Sequence, residues 1–391
     1  MFLLIRNGEV YSPQFCGKKD ILICNDKIIR LEDSIEFDYN YPDFRIIDAT
    51  GYKVVPGFID QHIHLTGGGG EGGPVTRTPE IALSELTTSG ITTAIGLLGT
   101  DGITRSVDSL LAKARALEEE GITTYIYTGC YTLPFSTITG KLNSDIVFID
   151  KIIGAGEIAL SDHRSSQLSV EELKKIAAEV RVAGILSKKC GIVHLHMGDG
   201  INGIKPLIEV VRTSDIPIKQ FVPTHINRID HLAHQSIEYI KMGGYVDMTS
   251  DIYKTDKTPK SMSISDTLKL YKDNGVPMDR VCASSDSNGS LPNFDENGEL
   301  INIGVGSTKT LFKDIRDAII GNIVSFEEGI SLITQNPAKI LKLYPHKGAI
   351  KENSDADILF IDGNLNIDTV IAKGKIMVEK GTALVKGYFE K

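Results

Sequence analysis

A chain of 391 residues, 41% hydrophobic and 24% charged, has room for one large core plus a minor domain and the composition of a globular protein. A net charge of −9, with no basic run and no aromatic-basic interleaving, argues against a nucleic-acid surface. No apolar stretch approaches the ~20 residues of a membrane span, and five scattered cysteines without a CxxC pair read as reduced thiols of a cytoplasmic protein.

The opening MFLLIRNGEV has too short an apolar run for a secretion signal, closed by Arg6 and Glu9, and reads as strand and turn. Residues 1–53 alternate short apolar runs with Asn-Gly and Asn-Asp turns, a β-meander rhythm. From residue 54 the rhythm becomes strand, loop, helix. Strands are predicted over 54–65, 91–98, 122–131, 157–161, 192–197, 218–226, 245–250 and 281–286. Apolar residues at helical spacing predict helices over 106–120, 170–186, 310–320 and 326–343. Glycines ahead of strands (90, 121, 156, 191 and 244) suit helix C-terminal caps.

Eight strands alternating with helices predict an α/β fold, a (β/α)8 TIM-like barrel over 54–345. After Pro345 the β rhythm returns, so 346–391 is predicted to join 1–53 in a small composite β domain.

Working residues of a parallel barrel sit at the C-terminal ends of its strands. The first strand, in VVPGFIDQHIHLTGGGGE, ends in His62 and His64, which share one face and can reach one metal. Tyr131 ends the third strand, the fourth carries Glu157 and leads to Asp162-His163-Arg164, and His196 ends the fifth. His225 ends the sixth with Arg228 beyond it, and Asp286 ends the eighth with Ser290 beyond it. Four imidazoles and two carboxylates exceed one metal's needs, so two metals about 3.5–4 Å apart are the economical reading.

PGFIDQHIHLTGGGGE, GLLGTD, YTGCYTLPFSTITG, SDHRS, HMGD, PTHINR and SSDSNGS, in that order, resemble the isoaspartyl (β-aspartyl) dipeptidases of the amidohydrolase superfamily. The resemblance runs nearly end to end, through GAIKENSDADILFID. It implies a zinc-dependent enzyme that splits the isopeptide bond of small β-aspartyl dipeptides, with two Zn²⁺ per subunit and a homo-oligomeric assembly. By that resemblance His62, His64 and Asp286 hold the more buried metal, and His196 and His225 its partner. Asp286 would also hold the bridging hydroxide and act as general base and acid, and Tyr131 would stabilise the oxyanion. Glu71 would take the substrate's α-ammonium, Arg164, Arg228 and Ser290 its carboxylates, and Thr100 and Gly69 lesser contacts.

One position departs from the pattern. The family's strand-four ligand is a lysine carbamate; here that position is Glu157, and no lysine lies between Lys151 and Lys174. Glu157 is expected to bridge the metals itself, with Gly154 and Gly156 letting the strand approach to make up the shorter side chain. The competing reading is a salt-bridged Glu157 beside a single metal. At the level of function, the competitors are a cyclic-amide or N-acyl amino acid hydrolase and a non-catalytic assembly protein on the same barrel.

Other residues carry quieter expectations. His194 is core or supports a ligand, His231 and His234 cap or face solvent, and His163 orients the loop of Arg164. Residues 132–140 could close as a lid, and the charged run from Lys254 to Lys260 is a solvated loop at the mouth.

Overall fold

The computed structural model describes residues 2–36, 43–253, 260–294, 297 and 299–391. Among these residues the N-terminal strands are β1 (Phe2–Tyr11), β2 (Phe15–Cys24), β3 (Lys27–Glu32), β4 (Phe44–Asp48) and β5 (Lys53–Pro56). The barrel strands follow as β6 (Phe58–Ile63), β7 (Ile91–Gly96), β8 (Thr123–Thr128), β9 (Ile152–Leu160), β10 (Ile192–Met197), β11 (Phe221–Thr224), β12 (Val246–Thr249) and β13 (Val281–Ser284). A hairpin, β14 (Ser290–Phe294) and β15 (Leu300–Val305), precedes the tail strands β16 (Ile358–Ile361), β17 (Ile367–Ala372), β18 (Lys375–Glu379) and β19 (Thr382–Ala383).

The two ends of the chain form one sheet, ordered β19-β18-β17-β16-β5-β1-β2-β3 with β4 on β1. Its joint is the antiparallel pairing of β5 with β16, Val54 opposite Phe360, over a core that includes Ile5, Ile21, Val54 and Ile358. Strands β6 to β11 make a parallel ladder in chain order, and β12 pairs with β13. Across one seam Ile226 N donates to Asp247 O at 3.3 Å; across the other Ile63 bridges Ser287 in parallel. The eight strands are buried on both faces, as strands sheathed by helices are, giving a TIM-like barrel beside a β domain.

Several boundaries shift from expectation for local reasons. The single strand expected over 54–65 is two, broken at Gly57, where a Cβ would stand 2.1 Å from Thr92 Oγ1. Pro56 thus ends a strand of one sheet and Phe58 opens a strand of the other. The helix expected over 326–343 is also two, Phe326–Leu332 and Gln335–Ile340. Gly90, Gly121 and Gly191 take the positive φ of a cap, whereas Gly156 lies inside β9, where a Cβ would meet His194 Cβ at 2.8 Å. Gly156 thus lets β9 pack closely against β10 at His194. Of the charged run at 254–260, only Lys260 falls among the described residues.

Candidate active site

The metal-ligand candidates converge at the C-terminal ends of the barrel strands. His62 lies in β6 with His64 just past its end, Glu157 is in β9 after a cis peptide from Gly156, and His196 is in β10. His225 and Asp286 follow β11 and β13 with φ of 60° and 52°, a left-handed backbone that costs about 1–3 kcal/mol at a non-glycine residue. Such strain persists where the surrounding structure holds a side chain to a task. All six side chains are buried.

The carboxylate of Glu157 faces two ways. Its Oε1 lies 2.7 Å from His196 Nδ1 and 2.9 Å from His225 Nε2. Its Oε2 lies 3.5 Å from His62 Nε2 and 3.9 Å from His64 Nε2, while Asp286 Oδ1 stands 3.4 and 3.2 Å from those same nitrogens. Two groups with metal-ligand geometry result: His62, His64 and Asp286, and His62, Glu157 and His225.

The charge state of the centre fits a cation. Buried His62 Nε2 and Glu157 Oε2 have no hydrogen-bond partner. Burial opposes charge on Glu157, yet His62 and His196 hold its carboxyl well below the usual range. Burial likewise opposes a charged His62, yet Glu157 and Asp286 push it well above the ordinary imidazole value. The carboxylates of Glu157 and Asp286, 3.5 and 3.4 Å from His62 Nε2, thus favour positive charge at that point. Burial brings His225 down to about 3, the neutral form that ligates.

Beside this centre lies the expected recognition group. Glu71 Oε1 accepts from Ser290 Oγ at 2.8 Å, Thr100 Oγ1 at 3.0 Å and Arg164 at 3.3 Å, while its buried Oε2 has no partner. The hydroxyl of Ser290 is thus engaged with a carboxylate of the protein. Gly69, at φ 80°, belongs to the glycine run before Glu71, and a Cβ there would stand 2.2 Å from Thr76 O. The Tyr131 hydroxyl lies 2.6 Å from His196 Nδ1; burial, with Glu157 adding, holds the phenol protonated. Arg228 NH1 approaches His196 Nε2 at 2.9 Å. A cavity of about 840 Å³ opens onto Asp286, Arg164 and Arg228 and is walled by Tyr253, Leu291 and Phe294.

Four features escaped the sequence reading. Asp162 is 4% exposed and grips the Arg164 guanidinium with both oxygens, at 3.0 and 2.8 Å; its place in SDHRS was the available signal. A Cβ on Gly289 would stand 2.3 Å from Asp286 Oδ1, so only glycine leaves that carboxylate its position. Arg105 donates to the carbonyls of Thr66, Gly68 and Thr78 and braces the glycine loop. The hairpin β14–β15 supplies one wall of the cavity.

The remaining histidines divide by burial. His194 is buried with Nε2 2.8 Å from His62 Nδ1, supporting a ligand. His163 is exposed, its ring edge-on to Phe294 at 4.7 Å, and His346 is exposed in the approach to the tail. Exposed His234 contacts Asp230 O at 2.8 Å through Nδ1. The 132–140 loop is tied down, Leu133 N to Ser166 Oγ and Ile138 N and Thr139 N to buried Asp145. Among the described residues no helix is long and apolar enough to cross a membrane.

The chain belongs to the amidohydrolase family, whose sequence profile matches residues 53–377. It is similar to a β-aspartyl dipeptidase of Fervidobacterium islandicum AW-1 solved with a β-Asp-Leu dipeptide: 42% identical, covering 98% of this chain and 97% of that one, with a TM-score of 0.92. The dihydroorotase of Elusimicrobium minutum is 26% identical over 96% of this chain and 91% of its own length. A dihydropyrimidinase of Brevibacillus agri NCHU1002, 18% identical with a TM-score of 0.69 over 99% of this chain and 97% of its own, shares the fold.

Proposed function

We propose that this amidohydrolase cleaves the isopeptide bond of β-aspartyl dipeptides with two zinc ions, which His62, His64, His196, His225 and Asp286 would hold together with Glu157, whose carboxylate faces both sets of ligands. The observation that carries the substrate reading is Glu71, whose Oε1 is held by Arg164, Ser290 and Thr100 while its buried Oε2 has no hydrogen-bond partner. A β-aspartyl dipeptide presents one ammonium and two carboxylates, which one anion and two guanidinium groups match. The β-Asp-Leu bound by the 42% identical relative has that charge pattern.

The chain's own groups divide the work. Arg164 and Arg228 orient the carboxylates, and Glu71 takes the ammonium. Zinc bound among the histidines would bring a water's pKa towards neutrality and polarise the scissile carbonyl. Asp286, kept ionised against its burial by His62 and His64, accepts the proton of the attacking water and returns it to the departing amine. The protonated Tyr131 hydroxyl donates to the carbonyl oxygen as it becomes an oxyanion. Because Glu157 would itself supply the carboxylate that faces both sets of ligands, activity would need no bicarbonate.

The dihydroorotase similarity supports a cyclic amide instead, but such a substrate has no ammonium to donate to the free Oε2 of Glu71. The test is hydrolysis of β-Asp-Leu, α-Asp-Leu and dihydroorotate by zinc-loaded protein, with and without bicarbonate. Selective, bicarbonate-independent cleavage of the β-linked peptide is expected. Dihydroorotate turnover alone would replace the proposal.

A further inference from the structure

Asp162 touches both halves of the site. Its Oδ1 accepts from Arg164 N at 2.8 Å and Nε at 3.0 Å; its Oδ2 accepts from Arg164 NH2 at 2.8 Å and lies 3.0 Å from His196 Nε2. It is buried. The other nitrogen of His196, Nδ1, faces Glu157 Oε1 at 2.7 Å, the position of a metal ligand. A ligating Nδ1 carries a lone pair, so the ring proton resides on Nε2 and needs an acceptor. Asp162 Oδ2 meets that need. Arg228 NH1, 2.9 Å from the same nitrogen, is itself a donor and stands 4.0 Å from Asp162 Oδ2, a second cation facing that carboxylate.

We propose that Asp162 is a positioning residue that couples the metal centre to substrate recognition, fixing the tautomer and orientation of His196 with one oxygen while its two oxygens lock the Arg164 fork. Removing it disturbs two functions that are otherwise separable. In Asp162→Asn an amide nitrogen replaces one oxygen, so at Oδ2 it would confront two donors, Arg164 NH2 and His196 Nε2–H. The substrate arm rests on the proposed peptidase function; metal retention reads without any substrate.

The experiment compares wild type, D162N, Arg164→Met and the double variant by zinc retained after dialysis against graded chelator, and by KM and kcat for β-Asp-Leu. D162N is expected to weaken zinc retention about 10- to 100-fold and to raise KM about tenfold. R164M should raise KM while holding zinc as wild type does. The double variant should match D162N in zinc retention and lie close to R164M in KM, since Asp162 grips Arg164 at 3.0 and 2.8 Å but meets Arg228 only at 4.0 Å. Matching thermal unfolding of the chelated proteins checks that all four fold. Wild-type zinc retention by D162N, or KM effects that add in the double variant, would overturn the coupling. A wild type that binds zinc but cleaves no β-Asp-Leu would overturn the peptidase assignment instead, leaving the zinc comparison to judge the His196 role.

Discussion

Two clusters of buried charge stand in this molecule, and they are built on opposite principles. Where the tail meets the barrel, Lys347 is 4% exposed and its ammonium reaches Asp355, Asp357 and Thr123 Oγ1, three acceptors for three donors. Asp357 also accepts from Lys373 N at 2.8 Å, and Asp355 pairs with Lys27. Nothing in that cluster asks for a further partner. At the mouth of the barrel, Glu157 Oε2 and His62 Nε2 are equally buried, yet neither makes a hydrogen bond. A buried charge that serves structure balances itself; one that serves chemistry leaves atoms unsatisfied until a ligand arrives.

The largest effect should come from breaking the unsatisfied cluster. Glu157→Gln keeps the shape but removes the charge that both ligand sets face. Peptidase activity should fall at least about a thousandfold, about 4 kcal/mol of barrier, with zinc content below that of wild type. Metal analysis beside steady-state kinetics checks this, and a variant with full zinc and full activity would mean that Glu157 only fills space. Breaking the balanced cluster should act elsewhere. Lys347→Met strands two carboxylates and should cost about 3 kcal/mol of stability, read as a lower denaturation midpoint. Its kcat per zinc-loaded molecule should stay within about twofold of wild type.

Adding metal sharpens the contrast from the other side. Zinc at one hundred times its dissociation constant should stabilise the protein by about 2.7 kcal/mol, and chelator should remove that increment. In Lys347→Met the increment should be the same size, because the two clusters share no residue. A smaller increment there would show that the tail sheet and the metal centre are energetically linked.

The two clusters also differed in how far the sequence disclosed them. His62 and His64 were legible because period two on a strand puts both on one face, and Glu157 because SDHRS fixed its register. Lys347 was not, since a lysine after Tyr-Pro-His reads as a solvated linker, and its partners Asp355, Asp357 and the barrel-strand residue Thr123 meet it only in the folded chain. Asp162 was passed over for a related reason, because an acid two residues from an arginine resembles a local surface pair. Its contact with His196, 34 residues away, depends on β9 and β10 lying side by side. The break at Gly57 likewise depends on Thr92, a neighbour that local composition cannot name.

The smallest expected effect is a difference in pH response. Burial opposes the Lys347 charge, but Asp357 and Asp355 raise its pKa above the ordinary 10.5, so its stabilisation is present below that value and is lost as pH rises through the folded one. Burial also opposes the Asp355 charge, but Lys347 and Lys27 lower its pKa below 3.8, so its share is present above 3.8 and is lost as pH falls through the folded value. Between pH 5 and 8, as a working range, the loss caused by Lys347→Met should therefore be constant. Zinc binding has no such plateau. Its ligands must be deprotonated, and Glu157 and Asp286, outweighing burial, raise the pKa of metal-free His62 well above the ordinary imidazole value. Displacing the His62 proton should cost the zinc increment up to about 1.4 kcal/mol per pH unit as pH falls through this range, whereas His225, down to about 3, adds nothing there. Unfolding with and without chelator at pH 8, 6.5 and 5 measures both quantities. If the zinc increment stays as flat as the lysine term, zinc displaces no proton from His62 and that residue does not hold the metal.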